Sequence, residues 1–437
     1  MQKNKLARAV LCAAGLTLAA CGSGNQQNSN NTPTITLHAI TVPAGFSQIG
    51  AAGSSPVMIN LAAGEIAWPV NATYQAYTIP AELLTALNAL TPTEIAAIKV
   101  SASAGKLVPL TLLFPDNTVY VLTPAASSSS IADNNIKPTA TTFTLTLSSF
   151  TIPTSVQVTS NSLTAIFNGT TGTMFGGTDK SNGNNNLYLI NPDTKTVITT
   201  FPTTDCTGVD KNATVTTVSA VKFQNQDYAA FGTNTGSVCV FATLNGKPTI
   251  TNLSAQAPAP GKANSYIHAQ VNNFGFYTDG SNQLLGFWLV GAPNGAQQIY
   301  RVTGQSGAAG SGQAGTGIIG KAFWNTTSNA AQSSGGTTQQ FTNVPTSVTD
   351  MNVDSTGTVI AAANGGVSAL PIICGNGQQT QWTQAATSYT SSEGQVTSLN
   401  GKIITAFPSA DGTSTTVMVT FQTNIQATNP LVVCPSS

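Results

Sequence analysis

The chain has few charges for its length. Its 437 residues carry 15 basic and 15 acidic side chains, 7% in all, about a quarter of the usual share. A surface that tracks phosphates needs clustered Lys and Arg, so no nucleic-acid partner is expected. Histidine is scarcer still: His38 and His268 are the two in the chain. A Ser-His-acid triad therefore has almost no material, and no GxSxG, HExxH, phosphate loop or dinucleotide fingerprint is present. Neither a metal nor a cofactor is expected. The chain is not poor in apolar residues, at 41%, so disorder throughout is excluded. Its polar positions fall mostly to Ser, Thr, Asn and Gln, with 40 Gly and 22 Pro.

The first residues read as an address. Lys3, Lys5 and Arg8 precede a small-residue apolar run from Ala9 to Ala20, the layout of a secretory signal peptide and too short to span a bilayer. The run ends Leu18-Ala19-Ala20-Cys21-Gly22, which resembles the lipobox of bacterial lipoproteins. That resemblance implies cleavage after residue 20, a diacylglyceryl thioether on Cys21 and an acyl chain on its amine. The membrane would be reached through this lipid, since two or more chains anchor stably. Gly22 rather than Asp after the Cys resembles lipoproteins passed to the outer membrane. Loss of residues 1–20 leaves 12 basic against 15 acidic residues. Residues 21–34 then read as the lipidated Cys and a polar tether, expected to reach roughly 20 Å as a flexible coil.

Four further cysteines follow: Cys206, Cys239, Cys374 and Cys434. An even number in an exported chain points to two disulfides, with three connectivities open. Proximity favours Cys206 with Cys239 and Cys374 with Cys434, each worth about 4 kcal/mol on the chain-entropy account. No CxxC or HxxxH spacing points to a metal instead.

Residues 35–150 read as a small α+β or β-sandwich-like domain. It opens on alternation from Thr34 to Val42, and His38 in that strand reads as a packed or edge residue. A helix is expected behind Pro80, and Thr91-Pro92-Thr93-Glu94 matches a capping box ahead of a second. Strands resume at Leu107–Leu113, Thr118–Leu122 and Thr142–Leu147, the first two joined by the turn string Phe114-Pro-Asp-Asn117.

Residues 151–437 repeat themselves. The unit is an alternating strand, a polar turn, a second strand rich in small residues, a third apolar strand and often a fourth. Copies begin near Leu163, Val218, Ile267, Val348 and Val396; the first has Thr173–Gly177 as its second strand and a turn at Asn191-Pro-Asp-Thr194, the second has Val238–Phe241 as its third strand, and the third has Phe274–Tyr277 as its second. A Gly-, Ser- and Thr-rich gap, residues 303–343, has room for a degenerate copy. Four antiparallel strands per 40 to 55 residues is the signature of a β-propeller. The string Asn352-Val-Asp-Ser-Thr-Gly-Thr-Val-Ile-Ala-Ala362 resembles the first hairpin of NHL- and lactonase-type blades, without a family-specific motif. The expected fold is mainly β: an irregular propeller of five to six blades preceded by the small domain.

Candidate functional residues are few. Asp179, Asp193, Asp227, Asp279, Asp350, Asp354 and Asp411 fall mostly at turns, where Asp satisfies local backbone N–H groups. Asp179-Lys-Ser-Asn-Gly183 lacks the further carboxylates of a calcium loop. His268 and Asp350 could line a propeller channel. Aromatic residues concentrate in the third copy, where Tyr277, Trp288 and Tyr300 could form a binding platform if they are not core. The reading favoured is a lipid-anchored cell-envelope protein whose propeller binds an envelope protein or a surface glycan without catalysis. The rival is a lactonase- or glycosidase-like hydrolase or lyase using channel carboxylates or a divalent cation.

Overall fold

The computed structural model describes residues 35–423 apart from several segments, the longest being 125–144, 253–269, 307–317 and 371–381. The chain is mainly β, and most of its strands fall into four-stranded antiparallel meanders; two of these are joined by the Gln297↔Val348 pair, and Gln332–Ser334 with Thr337–Gln339 form a two-stranded sheet. The sequence favours this locally. Thr, Val, Ile and aromatic residues alternate in short runs, and turn residues punctuate them.

From Val156 onward there are five such sheets, the five blades of a propeller. Sheet III holds strands Val156–Phe167, Thr170–Asp179, Asn185–Asn191 and Thr196–Pro202. Sheet IV holds Val215–Phe223, Gln226–Thr233, Val238–Leu244 and Lys247–Asn252. Sheet V holds Val271–Thr278, Gln283–Gly291, Gln297–Ser306 and Ile318–Asn325. Sheet VI holds Val348–Val353, Val359–Ala363, Gly366–Leu370 and Thr383–Ala386. Sheet VII holds Gln395–Leu399, Lys402–Phe407 and Val417–Thr423, and its fourth strand is Ile35–Thr41.

Residues 47–151 form two more meanders of the same plan. Sheet I holds Ser47–Ala52, Ser55–Asn60, Glu65–Val70 and Thr73–Thr78. Sheet II holds Lys99–Ser101, Leu110–Leu113, Thr118–Pro124 and Leu145–Thr151. Between them lie helices α1 (Ala81–Asn88) and α2 (Pro92–Ala96). Leu83 and Leu87, one turn apart, bury the inner face of α1. The capping box of α2 forms as its sequence dictates: the Glu94 N–H donates to Thr91 Oγ1 at 3.3 Å and the Thr91 N–H to Glu94 Oε2 at 2.8 Å.

The first strands of consecutive sheets touch in chain order from sheet II to sheet VII. Gln395–Leu399 then meets Ser55–Asn60 of sheet I, and Ser47–Ala52 meets Lys99–Ser101 of sheet II, so the succession closes on itself. Apolar cores lie between successive sheets. Leu113, Val119 and Phe150 of sheet II pack with Val156, Phe175 and Tyr188 of sheet III. Leu163, Met174 and Leu187 of sheet III pack with Val218, Phe231 and Cys239 of sheet IV. Leu289 and Ile299 of sheet V pack with Val348, Met351 and Val359 of sheet VI.

Two features depart from the expectations. Strand Ile35–Thr41 belongs to the last sheet, paired from Ile35↔Thr423 to Thr41↔Val417, rather than to the N-terminal unit. Alternation marks a strand but not its partner, which here lies at the other end of the chain. In the third repeat, the segment read as a second strand, Phe274–Tyr277, lies in the first, and the fourth strand, Ile318–Asn325, comes from the gap.

Glycine on the second strand sets how closely the next sheet approaches. A Cβ built on Gly176 would stand 2.2 Å from Val215 Cβ, and one on Gly232 would stand 2.7 Å from Val271 Cγ1. In both cases the opposing Val opens the following sheet. Gly176→Ala is therefore expected to lower stability by about 1–3 kcal/mol through overpacking. Val215→Ala should not rescue it, because the clash is with Cβ itself. Urea unfolding of the single and double variants checks this.

Candidate functional site

The first strand of most sheets carries a β-bulge. Pairing with the second strand shifts between Gln48 and Gly50, Val158 and Ser162, Val215 and Thr217, Val271 and Asn273, and Val348 and Asp350. A bulge adds an unpaired residue and re-aims its neighbours. In sheets IV to VI it places two polar residues between buried ones: Val215-Thr-Thr-Val218, Val271-Asn-Asn-Phe274 and Val348-Thr-Asp-Met351. Apolar positions three apart in a strand are the sequence signal for this, and a strict search for alternation passes over it.

These polar residues form a seam from sheet to sheet. Asn161 Nδ2 donates to Ser101 Oγ in sheet II at 2.8 Å and to Val218 O in sheet IV at 3.3 Å, while Val218 N–H donates to Asn161 Oδ1 at 2.9 Å. Thr216 Oγ1 donates to Val271 O in sheet V at 2.7 Å. Asn273 Nδ2 donates to Asp350 Oδ1 at 3.1 Å and Met351 O at 2.9 Å in sheet VI. Lys99 Nζ donates to Ser160 O at 3.2 Å. The residue is exposed overall, but its ammonium leans against sheet III, and partial burial holds its pKa below the usual lysine value.

Of the residues singled out by sequence, Asp350 lies on this seam, half-buried, with the Asn273 amide donating to it. His268 lies outside the described residues, as do Cys21, Cys374, Cys434, Asp279, Asp354 and Asp411. Asp179 caps its own turn: Ser181 Oγ and N–H donate to Oδ1, and both hold its carboxyl below the usual range. Trp288 stands opposite Phe274 and Tyr300 in the register of sheet V, while Tyr277 pairs with Leu285. Tyr300 is half-buried, its hydroxyl donates to Gln298 Oε1 at 2.9 Å, and burial pushes its pKa up. Tyr277 and Trp288 therefore lie on different strands of one sheet, with Tyr300 on a third.

Sequence reasoning passed over Arg301, which follows Tyr300 and is fully buried. Its guanidinium sits over the Phe341 ring, 5.4 Å from the centroid. Burial pushes its pKa down to about 9, so it keeps its charge at neutral pH. A cation inside a strand of so charge-poor a chain was itself the signal. Cys206 and Cys239 form the disulfide that proximity favoured, tying the segment after sheet III to the third strand of sheet IV. Among the described residues, no group of three or more His, Cys, Asp and Glu could hold a metal ion. No helix described is long and apolar enough to cross a membrane.

The seam's chemistry is that of a cross-link. Asn273→Ala is expected to cost about 1–3 kcal/mol, since it removes the amide that donates to Asp350 and to the Met351 carbonyl. Asn273→Asp would set a second carboxylate beside Asp350, which raises the pKa of one of the pair above its unfolded value. That penalty is present at neutral pH and fades as pH falls through the raised pKa. Unfolding of both variants at neutral pH and near pH 4 separates the two effects.

No protein family model matches the chain, and no curated protein matches it in sequence. Solved structures of similar fold include BamB from Moraxella catarrhalis, 12% identical, with 86% of this chain and 84% of that one covered and a TM-score of 0.37. The β-propeller domain of Cps50 (Swd1) from Myceliophteria thermophila is 10% identical, with 87% and 97% covered and a TM-score of 0.42. An α-L-arabinanase of Penicillium chrysogenum, solved with arabinobiose, is 10% identical, with 71% and 88% covered and a TM-score of 0.36. The sheets themselves, four-stranded meanders with their first strands in contact around a closed succession, make the chain a β-propeller protein.

Proposed function

We propose that this chain is a lipid-anchored protein of the bacterial cell envelope whose propeller binds another envelope protein or a surface glycan, without catalysis of its own. The observation that carries the binding reading is the seam. Asn161, Thr216 and Asn273 each reach into the next sheet and bond its backbone, at Val218, Val271 and Met351. Side chains spent on holding blades together suit a rigid scaffold that presents loops. The anchor rests on Leu18-Ala19-Ala20-Cys21. The buried Cys206–Cys239 disulfide suits an oxidising compartment beyond the cytoplasm.

The test is radiolabelled palmitate incorporation and cell fractionation of the wild type and Cys21→Ser, followed by crosslinking in intact envelopes. Label on the wild type alone, with a discrete protein or glycan adduct, is the expected result. Equal label on both chains would sink the anchor. Turnover of a lactone or glycoside by the purified body, lost in Asp350→Ala, would replace binding by catalysis. Protease treatment of unbroken cells then places the body: digestion puts it on the surface, protection in the periplasm.

A further inference from the structure

The fourth strand of every sheet is its outer edge, and all of them run the same way relative to the hairpin that joins the first and second strands. In sheet III, Thr196 pairs with Asn191, at the end that carries the Phe167–Thr170 hairpin. In sheet VII, Ile35 pairs with Thr423, at the end that carries the Leu399–Lys402 hairpin. Because the sheets follow one another with their first strands in contact, the starts of these outer strands share one rim of the ring and their ends share the other.

The two rims differ in composition. The first residues of the outer strands are Ile35, Thr73, Leu145, Thr196, Lys247, Ile318 and Thr383, and the last are Thr41, Thr78, Thr151, Pro202, Asn252, Asn325 and Ala386, so large aliphatic residues stand at three of the starts and at none of the ends. Val197 and Ile198, which follow Thr196, are the exposed large hydrophobics among the described residues, at 52% and 41%. Neighbours on a regular strand point to opposite faces. Here pairing shifts between Leu189 and Ile190, which leaves Ile198 as a bulged residue, and both side chains reach solvent.

Ile35 is also the point from which the chain runs back toward Cys21, with thirteen residues, 22–34, between them. Such a length spans at most about 45 Å when fully extended. We infer that the rim bearing the starts of the outer strands faces the lipid bilayer, with Val197 and Ile198 seated in its interfacial region. The inference rests on the lipid anchor proposed above and assigns it an orientation. Apolar side chains on a surface held at the bilayer gain by entering the headgroup boundary. Lys195, at the same rim, can keep its ammonium group among the headgroups while its stem lies along apolar surface. Asp193 lies near Lys195 as a counter-charge, so the contact would be apolar rather than electrostatic. The opposite rim, with the Asp179–Asn184 turn, then faces away and is open to a partner.

The test uses the full, lipid-modified chain in vesicles of phosphatidylethanolamine and phosphatidylglycerol, with a benzophenone amino acid at position 197, at position 198 or, on the far rim, at position 182. Flotation of the wild type beside Cys21→Ser is read first. The expected result is that the wild type floats, Cys21→Ser does not, and lipid adducts from positions 197 and 198 exceed those from 182 several-fold. A wild type that fails to float overturns the anchor and this orientation with it. A wild type that floats but yields no more lipid adducts from 197 and 198 than from 182 overturns the orientation and leaves the anchor standing. Protein adducts from 197 and 198 in native envelopes, in place of lipid ones, would do the same and make this rim the partner's site.

Discussion

Trp382→Ala is expected to lower stability by about 3–5 kcal/mol, a greater loss than either Gly176→Ala or Asn273→Ala should bring. Trp382 is fully buried and stands immediately before the outer strand of sheet VI. It packs with Leu289 and Ile299 of sheet V and with Val348, Met351 and Leu370 of sheet VI. Its indole N–H donates to Thr326 O at 2.8 Å, just past the outer strand of sheet V, and its backbone N–H donates to Thr342 O at 3.0 Å. Thr326 is itself tied back, since its N–H and its hydroxyl both donate to Ile299 O. One side chain therefore fills the core between two blades and bonds the backbone of the earlier one. Trp382→Phe separates the two contributions: it keeps most of the volume and loses the N–H, for an expected cost of about 1–3 kcal/mol. Denaturant midpoints of the two variants, with hydrogen exchange at Thr326, provide the measurement. Equal losses for Phe and Ala would mean that the hydrogen bond, not the packing, dominates. A midpoint unmoved by Ala would contradict this account of the interface.

Much of this architecture was legible because propeller blades are local. Each is a meander, so neighbours in sequence are neighbours in the sheet, and repeats such as Thr173–Gly177 and Val238–Phe241 announce themselves. The capping box at Thr91–Glu94 and the turns at Asn117 and Asn191 were legible for the same reason, their partners lying within a few residues. What sequence could not supply was long-range. The strand Ile35–Thr41 alternates clearly, yet nothing in it names Val417–Thr423 as its partner. Nor does alternation reveal bulges. At Val271-Asn-Asn-Phe274 the apolar spacing changes from two to three, and this moved the reading of the third repeat by one strand.

The candidate site was harder for a physical reason. Asp350 accepts from the Asn273 amide, contributed by a residue 77 positions away. An Asn in a strand carries no local sign that its amide will bridge two sheets. The same holds for Asn161 and Thr216, which look like surface polar residues until the adjoining blade is in place. Arg301 is a different case, since its burial follows from a position on the face of sheet V that packs against sheet VI.

The second large effect is expected from the Cys206–Cys239 disulfide. The bridge spans 33 residues, and on the chain-entropy account a loop of that length restricts the unfolded chain by about 4 kcal/mol. It joins the segment leaving the outer strand of sheet III to the third strand of sheet IV, the same pair of sheets that Gly176 and Val215 hold in close approach. Both cysteines are fully buried, in one core with Leu163, Val218 and Phe231. Reductant alone should therefore leave the folded protein oxidised, because thiolate attack needs access to a sulfur. Reductant with denaturant should shift the unfolding midpoint down, and the variant carrying Cys206→Ala and Cys239→Ala should show the shift without reductant. Combining that variant with Gly176→Ala should give a loss different from the sum of the two, since both changes act on one interface. Rapid reduction under native conditions would mean that sheets III and IV separate readily. Strict additivity would mean that the bridge acts on the unfolded chain alone and contributes nothing to the fit between the blades.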